Sequence, residues 1–272
     1  MVRRASERGF TLIEMAIVVV IIGLLLSGSL LAVSPVIQGS KVSDTNARLD
    51  RLEQAITVYV IQNGCLPCPA DRGLASTSAN AGWANNGAIY YGPTHTTNAQ
   101  ACSGTATCNA AGVFVGVLPW NTLGISEADI TDAWGNRISY AVTGGLTTTA
   151  GTSMVRTPPS TYPAGTQVIV NTAAVSQATN GAYVLISYGP DLTYANTATT
   201  GAARPPAAYT FGATDASGRN NPANHGTATV AFAQGDYVGT PSTAHFDDLV
   251  RWRTAPIIIQ GCGPNACGNP PS

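Results

Sequence analysis

The chain has 272 residues, of which 10% are charged and 44% hydrophobic, with a formal net charge of −1. That length exceeds a single helix with a tail and allows one large domain or two small ones. Low net charge with substantial hydrophobicity excludes a disordered chain, and the absence of a basic excess leaves no expectation of a nucleic-acid partner. Of the 13 Lys and Arg residues only Lys41 is lysine, and the bulk of the chain is rich in Gly, Ala, Thr, Ser and Asn. This composition fits an exported, loop-rich β domain.

The first element is an apolar helix. Arg3, Arg4 and Arg8 precede it, Glu14 stands at its mouth, and no further charge occurs before Lys41. Residues 15–40 would extend about 39 Å as a helix, against about 30 Å for the hydrocarbon core of a bilayer. The run is apolar on every face, unlike a core helix packed on one side. Lys41, Arg48 and Arg51 follow, interleaved with Asp44 and Asp50. The arginines nearest the run therefore favour a cytoplasmic N-terminus with the rest of the chain outside. A cleaved secretory signal is the competing explanation. Its h-region would be too long, no A-x-A site follows, and Glu14 would be left without a purpose.

Pro35 and Gly39 interrupt the helical pattern, so a kink or locally loosened segment is expected there. The period then resumes with Val42, Leu49, Leu52, Ile56 and Tyr59 on one stripe and Lys41, Asp44, Arg48, Asp50 and Glu53 on other faces. That is an amphipathic helix. Gly64, followed by Pro67 and Pro69, is a plausible stop. One long helix from Phe10 to about Asn63 results, with one stripe of its second half packed on a sheet.

No long helical period appears from residue 65 onward. "SEADI" (126–130) is a candidate short helix. The strand-like runs are "GVFVGVL", "RISYAV", "QVIV", "AYVLISY", "TATVAF", "LVRW" and "PIIIQ", separated by segments rich in Gly, Thr, Asn and Pro. Two long insertions, 76–87 and 193–226, carry little charge. Such loops are functional surfaces or poorly ordered.

All six cysteines, Cys65, Cys68, Cys102, Cys108, Cys262 and Cys267, lie on one side of the apolar run, as disulfides in an oxidising compartment would. Cys65-x-x-Cys68 has the spacing of a redox motif. It follows the end of a helix, however, where the dipole has the wrong sign to stabilise a thiolate. These two either bridge each other or pair with Cys102 and Cys108, while zinc is a weaker use of the same spacing. Cys262 and Cys267 suit a local disulfide pinning the C-terminus. Six cysteines allow fifteen connectivities, so the pairing stays open. His95, His225 and His245 stand isolated in loops, and no H-E-x-x-H, G-x-S-x-G or phosphate-binding motif occurs. No catalytic residue is assigned.

The string "RGFTLIEM" (8–15), followed at once by the apolar run, resembles the class III leader of type IV pilins and of type II secretion pseudopilins. The resemblance implies a leader of residues 1–9, cut after Gly9 by a prepilin peptidase, and a new N-terminal Phe10 that becomes methylated. Glu14 is then the fifth residue of the mature chain. Glu14 lies about 6 Å along a helix from Phe10, and an intramembrane carboxylate needs a partner. The amine freed at Phe10 is a natural one, in the same chain or in a neighbour. "ITDAWGNRISYAV", with Asp132, Trp134, Gly135, Asn136 and Tyr140, is similar to a D-x-W-G-N turn of the major pseudopilin. "YVLISYGPD" and "FDDLVRW" resemble the segments that close that family's globular domain around a calcium-binding loop. Asp191, Asp247 and Asp248 are the matching candidate ligands for a structural calcium, and no other cofactor is implied. More than fifty residues separate Asp191 from Asp247 here, where the family has a short loop.

The expected organisation is α+β and pilin-like: leader 1–9, membrane and assembly helix 10–34, amphipathic helix 35–64, and an extracytoplasmic β-rich domain 65–272 on an antiparallel sheet with long loops. The expected function is structural, that of a minor or specialised pseudopilin or pilin. Such a subunit sits in the inner membrane with a periplasmic or extracellular domain and assembles into a filament. Its partners are the prepilin peptidase, other subunits and an inner-membrane assembly platform. Two other classes compete. One is a surface-binding subunit using its Thr/Asn/Gly-rich loops on glycan, DNA or a secreted substrate. The other is a thiol oxidoreductase built on Cys65 and Cys68.

Overall fold

A computed structural model of the chain describes residues 11–84, 89–91, 108, 112–147, 154, 165, 167–170, 176–190, 196–197, 231–237, 246–262 and 267; within these, the side chains of 24–35, 89–91, 168, 170 and 196–197 are not described. Helix α1 runs over Leu12–Asn63 and is uninterrupted at Pro35 and Gly39. A proline removes one intrahelical hydrogen bond, and the helix continues on both sides of the two residues expected to interrupt it. The chain divides into two compact units, Met1–Ser43 and Asp44–Ser272.

In the second unit the last twenty residues of α1 serve as the cover of a sheet. Leu49, Leu52, Ile56, Tyr59 and Val60 are buried, which is the stripe that the period of three and four demands. Gly64 stops the helix with a positive φ of 74°, and its N–H donates to the carbonyl of Val60.

The sheet has seven strands: β1 (Ile89–Tyr91), β2 (Val113–Val117), β4 (Ser139–Thr143), β5 (Gln167–Val170), β6 (Ser176–Ser187), β8 (Ala231–Ala233) and β9 (Leu249–Thr254). A two-stranded ribbon pairs β3 (Asn136–Arg137) with β7 (Asn196–Thr197). β6 is the spine. Its later residues pair with β4 on one side and β9 on the other, while its earlier residues pair with β5. All these contacts are antiparallel, but β5 pairs with β8 in parallel, so the expectation of a purely antiparallel sheet is corrected at one edge.

β2 and β4 are buried at all five positions, and both faces of the sheet are apolar. Tyr140 and Tyr183 lie on the face that meets α1, with ring centroids 6.2 Å apart. A second cluster on the other side unites Val113, Val115, Ala141, Val184, Ile186 and Val250 with Ile169, Phe232 and Phe246.

Two expected elements differ. "PIIIQ" is not a strand: α3 spans Ala255–Gly261 and buries Ile258 and Ile259. Pro256 fits the first helical turn, where its missing N–H has no partner to lose, and packing overrides the β preference of three isoleucines. "SEADI" forms successive turns instead of a helix. The Asp129 carboxylate accepts from the Ser126 N–H and hydroxyl, and the N–H groups of Asp129, Ile130 and Thr131 each reach back three residues. The short helix α2 lies earlier, at Trp120–Leu123.

Polar contacts lock α1 to the sheet. Arg251 donates to Asn46 and faces Asp50, and Arg253 donates to Glu53 at 2.7 Å. Glu53 is buried, and its Oε1 has no hydrogen bond among the described residues. Burial pushes its carboxyl above the ordinary value, Arg253 and Arg251 pull it back, and Asp50 adds to the rise. The folded protein therefore holds this proton more tightly than the unfolded chain does. The resulting stability is fully present below the unfolded value, about 4.3, and is lost as pH rises through the raised folded value. Glu53→Gln is expected to flatten that part of the stability–pH curve, so that the variant gains on wild type as pH rises. Chemical denaturation at a series of pH values reads this directly, and parallel curves would refute it.

Candidate functional site

The N-terminal end of α1 is built by Thr11 and Glu14. The Thr11 hydroxyl accepts from the Glu14 N–H at 3.3 Å, and Glu14 Oε2 accepts from both the N–H and the hydroxyl of Thr11 at 3.0 Å. This reciprocal arrangement is a capping box, with Thr11 before the first helical residue and Glu14 three later. The T-x-x-E spacing was the available signal, and the reading of Glu14 as a membrane carboxylate passed over it. Only Oε2 is engaged among the described residues. Gly9 and Phe10, and so the expected cut and the expected amine partner, lie outside the described residues.

Beyond the cap, Leu12, Ile13 and Met15 and every residue from Ile17 to Ile22 are exposed. Six successive exposed apolar positions cover the whole circumference of the helix, so no face of this stretch is buried by the chain itself. Among the described residues no helix is long and apolar enough to cross a membrane. The expected membrane segment falls partly on 24–35, whose side chains are not described.

Cys68 is bonded to Cys108 and Cys262 to Cys267. Cys65 is also disulfide-bonded, and Cys102 lies outside the described residues. The alternative in which Cys65 and Cys68 bridge each other is excluded. With it goes the internal disulfide that a C-x-x-C redox site would use; both sulfurs are fully buried. The Cys68–Cys108 bond closes a 40-residue separation, for which chain entropy alone gives about 4 kcal/mol.

The D-x-W-G-N segment is a clamp between α1 and the sheet. Asp132 Oδ1 accepts from the N–H groups of Trp134 and Asn136, and Oδ2 accepts from the Ser187 hydroxyl at 2.7 Å. Gly135 takes a φ of 86° at the turn. Burial pushes the Asp132 carboxyl up; the hydrogen bonds from Asn136, Ser187 and Trp134, then the charge of Arg48, pull it back. From the helix side, Thr45 accepts the Ala133 N–H, and Arg48 donates to the carbonyls of Ala128 and Thr131.

Of the three candidate calcium ligands, Asp247 and Asp248 are buried and Asp191 lies outside the described residues. Gly189, with φ of 63°, packs directly on Asp247, so the fold brings the "YGPD" loop against the "FDD" segment across the long insertion. Among the described residues no group of three His, Cys, Asp or Glu side chains is placed to hold a metal. His95, His225 and His245 lie outside the described residues.

Residues 4–30 match the prokaryotic N-terminal methylation motif, which makes this end of the chain a class III prepilin-type signal. The match spans Gly9, Phe10 and Glu14 and stops short of the sheet unit. No curated protein and no solved structure matches the chain.

Proposed function

We propose that the chain is a structural subunit of a filament of the type IV pilus or type II secretion pseudopilus kind. The observation that carries this reading is the methylation motif over residues 4–30, a span that includes helical residues Ile17 to Ile22, which are apolar and exposed on all sides. Processing by a prepilin peptidase and assembly with other pilin subunits follow from that signal. In this reading the peptidase cuts between Gly9 and Phe10, Phe10 is N-methylated, and the arginine leader is discarded. The apolar half of α1 first anchors the subunit in the inner membrane, N-terminus inward, and then packs among the helices of its neighbours. The sheet unit stays outside. The protein is then the substrate of an enzyme rather than an enzyme. The long insertions, 76–87 and 193–226, support a minor or specialised subunit over a bulk one.

Mass spectrometry of the mature protein tests the first step. From cells with an active prepilin peptidase the N-terminal peptide is expected to begin at Phe10 and carry one methyl group. Retention of residues 1–9 in such cells would sink the reading.

A further inference from the structure

Residues 73–126 contain no Asp, Glu, Lys or Arg. Within that span the loop Leu74–Ala84 is held to the body of the protein at both ends. At its start, the Arg137 guanidinium donates to the Leu74 carbonyl and the Ser76 hydroxyl, and Ser76 donates to Glu127. Its middle is a run of tight turns, with the N–H groups of Ser78, Ala81 and Trp83 reaching back three residues. At its end, Asn121 donates its backbone N–H to Gly82 and its side-chain amide to Ala81, and the Ala84 N–H donates to the Thr122 hydroxyl. Gly82, at φ of 72°, lies so close on the Trp120 ring that no side chain fits between them.

This anchoring presents one side chain outward. Ala81 and Gly82 are buried, while the next residue, Trp83, is 52% exposed. Among the described residues of the sheet unit the other exposed large apolar side chains are Val58 and Ile257, on α1 and α3. The exposed neighbours of Trp83 along its own loop are Ser76, Thr77, Ala79 and Asn80.

We propose that Trp83 and its loop are a recognition platform for a neutral polysaccharide. An indole fixed by its backbone offers a flat apolar face at the entropy cost of two side-chain torsions. A sugar ring has a matching C–H face, rimmed by hydroxyls that Thr77 and Asn80 are chemically suited to meet. The loop itself carries no charge, and the charged side chains at its flanks, Asp71, Arg72 and Glu127, are of mixed sign; no cluster of cations is offered to nucleic acid or an acidic polymer. A protein partner is less well matched. Protein interfaces of standard size bury about 800 Å² per side around an apolar centre, and here one aromatic stands alone among small polar residues. The proposal does not rest on the filament reading.

The test uses the full chain in a sugar-free detergent, with microcrystalline cellulose, chitin and insoluble α-glucan as probes. Wild type is expected to be retained on at least one of them. Trp83→Ala should lose about tenfold in binding constant, equivalent to about 1.4 kcal/mol, as expected for loss of one aromatic contact. Its thermal midpoint should be unchanged, because the side chain is on the surface. Trp83→Phe should fall between, and Asn121→Ala should weaken binding by loosening the loop with the indole intact. Three outcomes overturn the proposal: no retention on any of the three, equal retention of Trp83→Ala, or a Trp83→Ala loss of self-association in place of sugar binding, which would make a second copy of the chain the occupant.

Discussion

Glu14→Ala is expected to leave cleavage and membrane insertion largely intact and to remove the subunit from the filament. The two consequences separate because Glu14 has two uses. As the last residue of the capping box, three after Thr11, it completes the Thr11 cap with its side chain, a contribution of about 1 kcal/mol. That is minor beside a helix running from Leu12 to Asn63. In the proposed filament reading it is also a carboxylate beside the amine freed at Phe10, and neutralises that charge in a medium of low dielectric. Leaving one partner of such a pair alone costs about 3 kcal/mol or more, which is over a hundredfold in an assembly equilibrium. Glu14→Gln decides between them. The amide oxygen still accepts the Thr11 hydrogen bonds but carries no charge, so Gln should fail as Ala does. Thr11→Val, which keeps the charge and loses the hydroxyl, should assemble. The readout is the share of each variant in sheared filaments against the membrane fraction. Incorporation of Glu14→Gln at wild-type level would show that the cap, and not the charge pair, is what assembly needs.

The parts of this molecule that were legible in its sequence are those encoded over a few consecutive residues. The α1 stripe could be read because Leu49, Leu52, Ile56 and Tyr59 repeat at helical spacing, and all four are buried. The strands β2, β4, β6 and β9 announced themselves as β-branched and aromatic runs between turn residues. The signal at Gly9, Phe10 and Glu14 is a contiguous string and needs no fold to be recognised.

What was illegible depends on partners far apart in the chain. Glu53 read as a solvated position on a polar face, yet it is buried and paired with a partly exposed Arg253, two hundred residues away. "PIIIQ" has the composition of a strand, but α3 sits directly after β9, where burial of Ile258 and Ile259 needs helical spacing. The choice of Cys108 by Cys68 depends on a hairpin and loops that no local pattern specifies. The approach of Asp247 to Gly189 across the insertion is likewise a property of β6 and β9 lying side by side.

Arg137 is the other position where a single change should be severe. Its side chain is fully buried, a place where a guanidinium survives only if nearly every donor is used. Here Nε and Nη2 meet Glu127 Oε1 at 2.7 and 2.6 Å, Nη1 meets the Leu74 carbonyl, Nη2 also meets Ser76, and the Trp120 ring lies 4.9 Å from the guanidinium carbon. Arg137→Ala removes all of these and leaves a cavity beside Trp120, so a loss of about 3–4 kcal/mol in unfolding free energy is expected. Glu127 remains partly exposed. The penalty therefore comes mainly from the cavity and the unpaired Leu74 carbonyl, less from a stranded charge. Arg137→Lys separates geometry from charge. An ammonium cannot reach Glu127, Leu74 and Ser76 together or lie flat on an indole, so it should still lose about 1–2 kcal/mol. Replacing both partners, as Arg137→Met with Glu127→Gln, should recover part of the Ala loss, because an apolar chain of similar length refills the space. Denaturant titration at constant pH measures all three. If Arg137→Lys is as stable as wild type, the fork and the ring contact contribute nothing, and the loop Leu74–Ala84 owes its anchoring to the Ser76–Glu127 hydrogen bond and to Asn121 and Thr122.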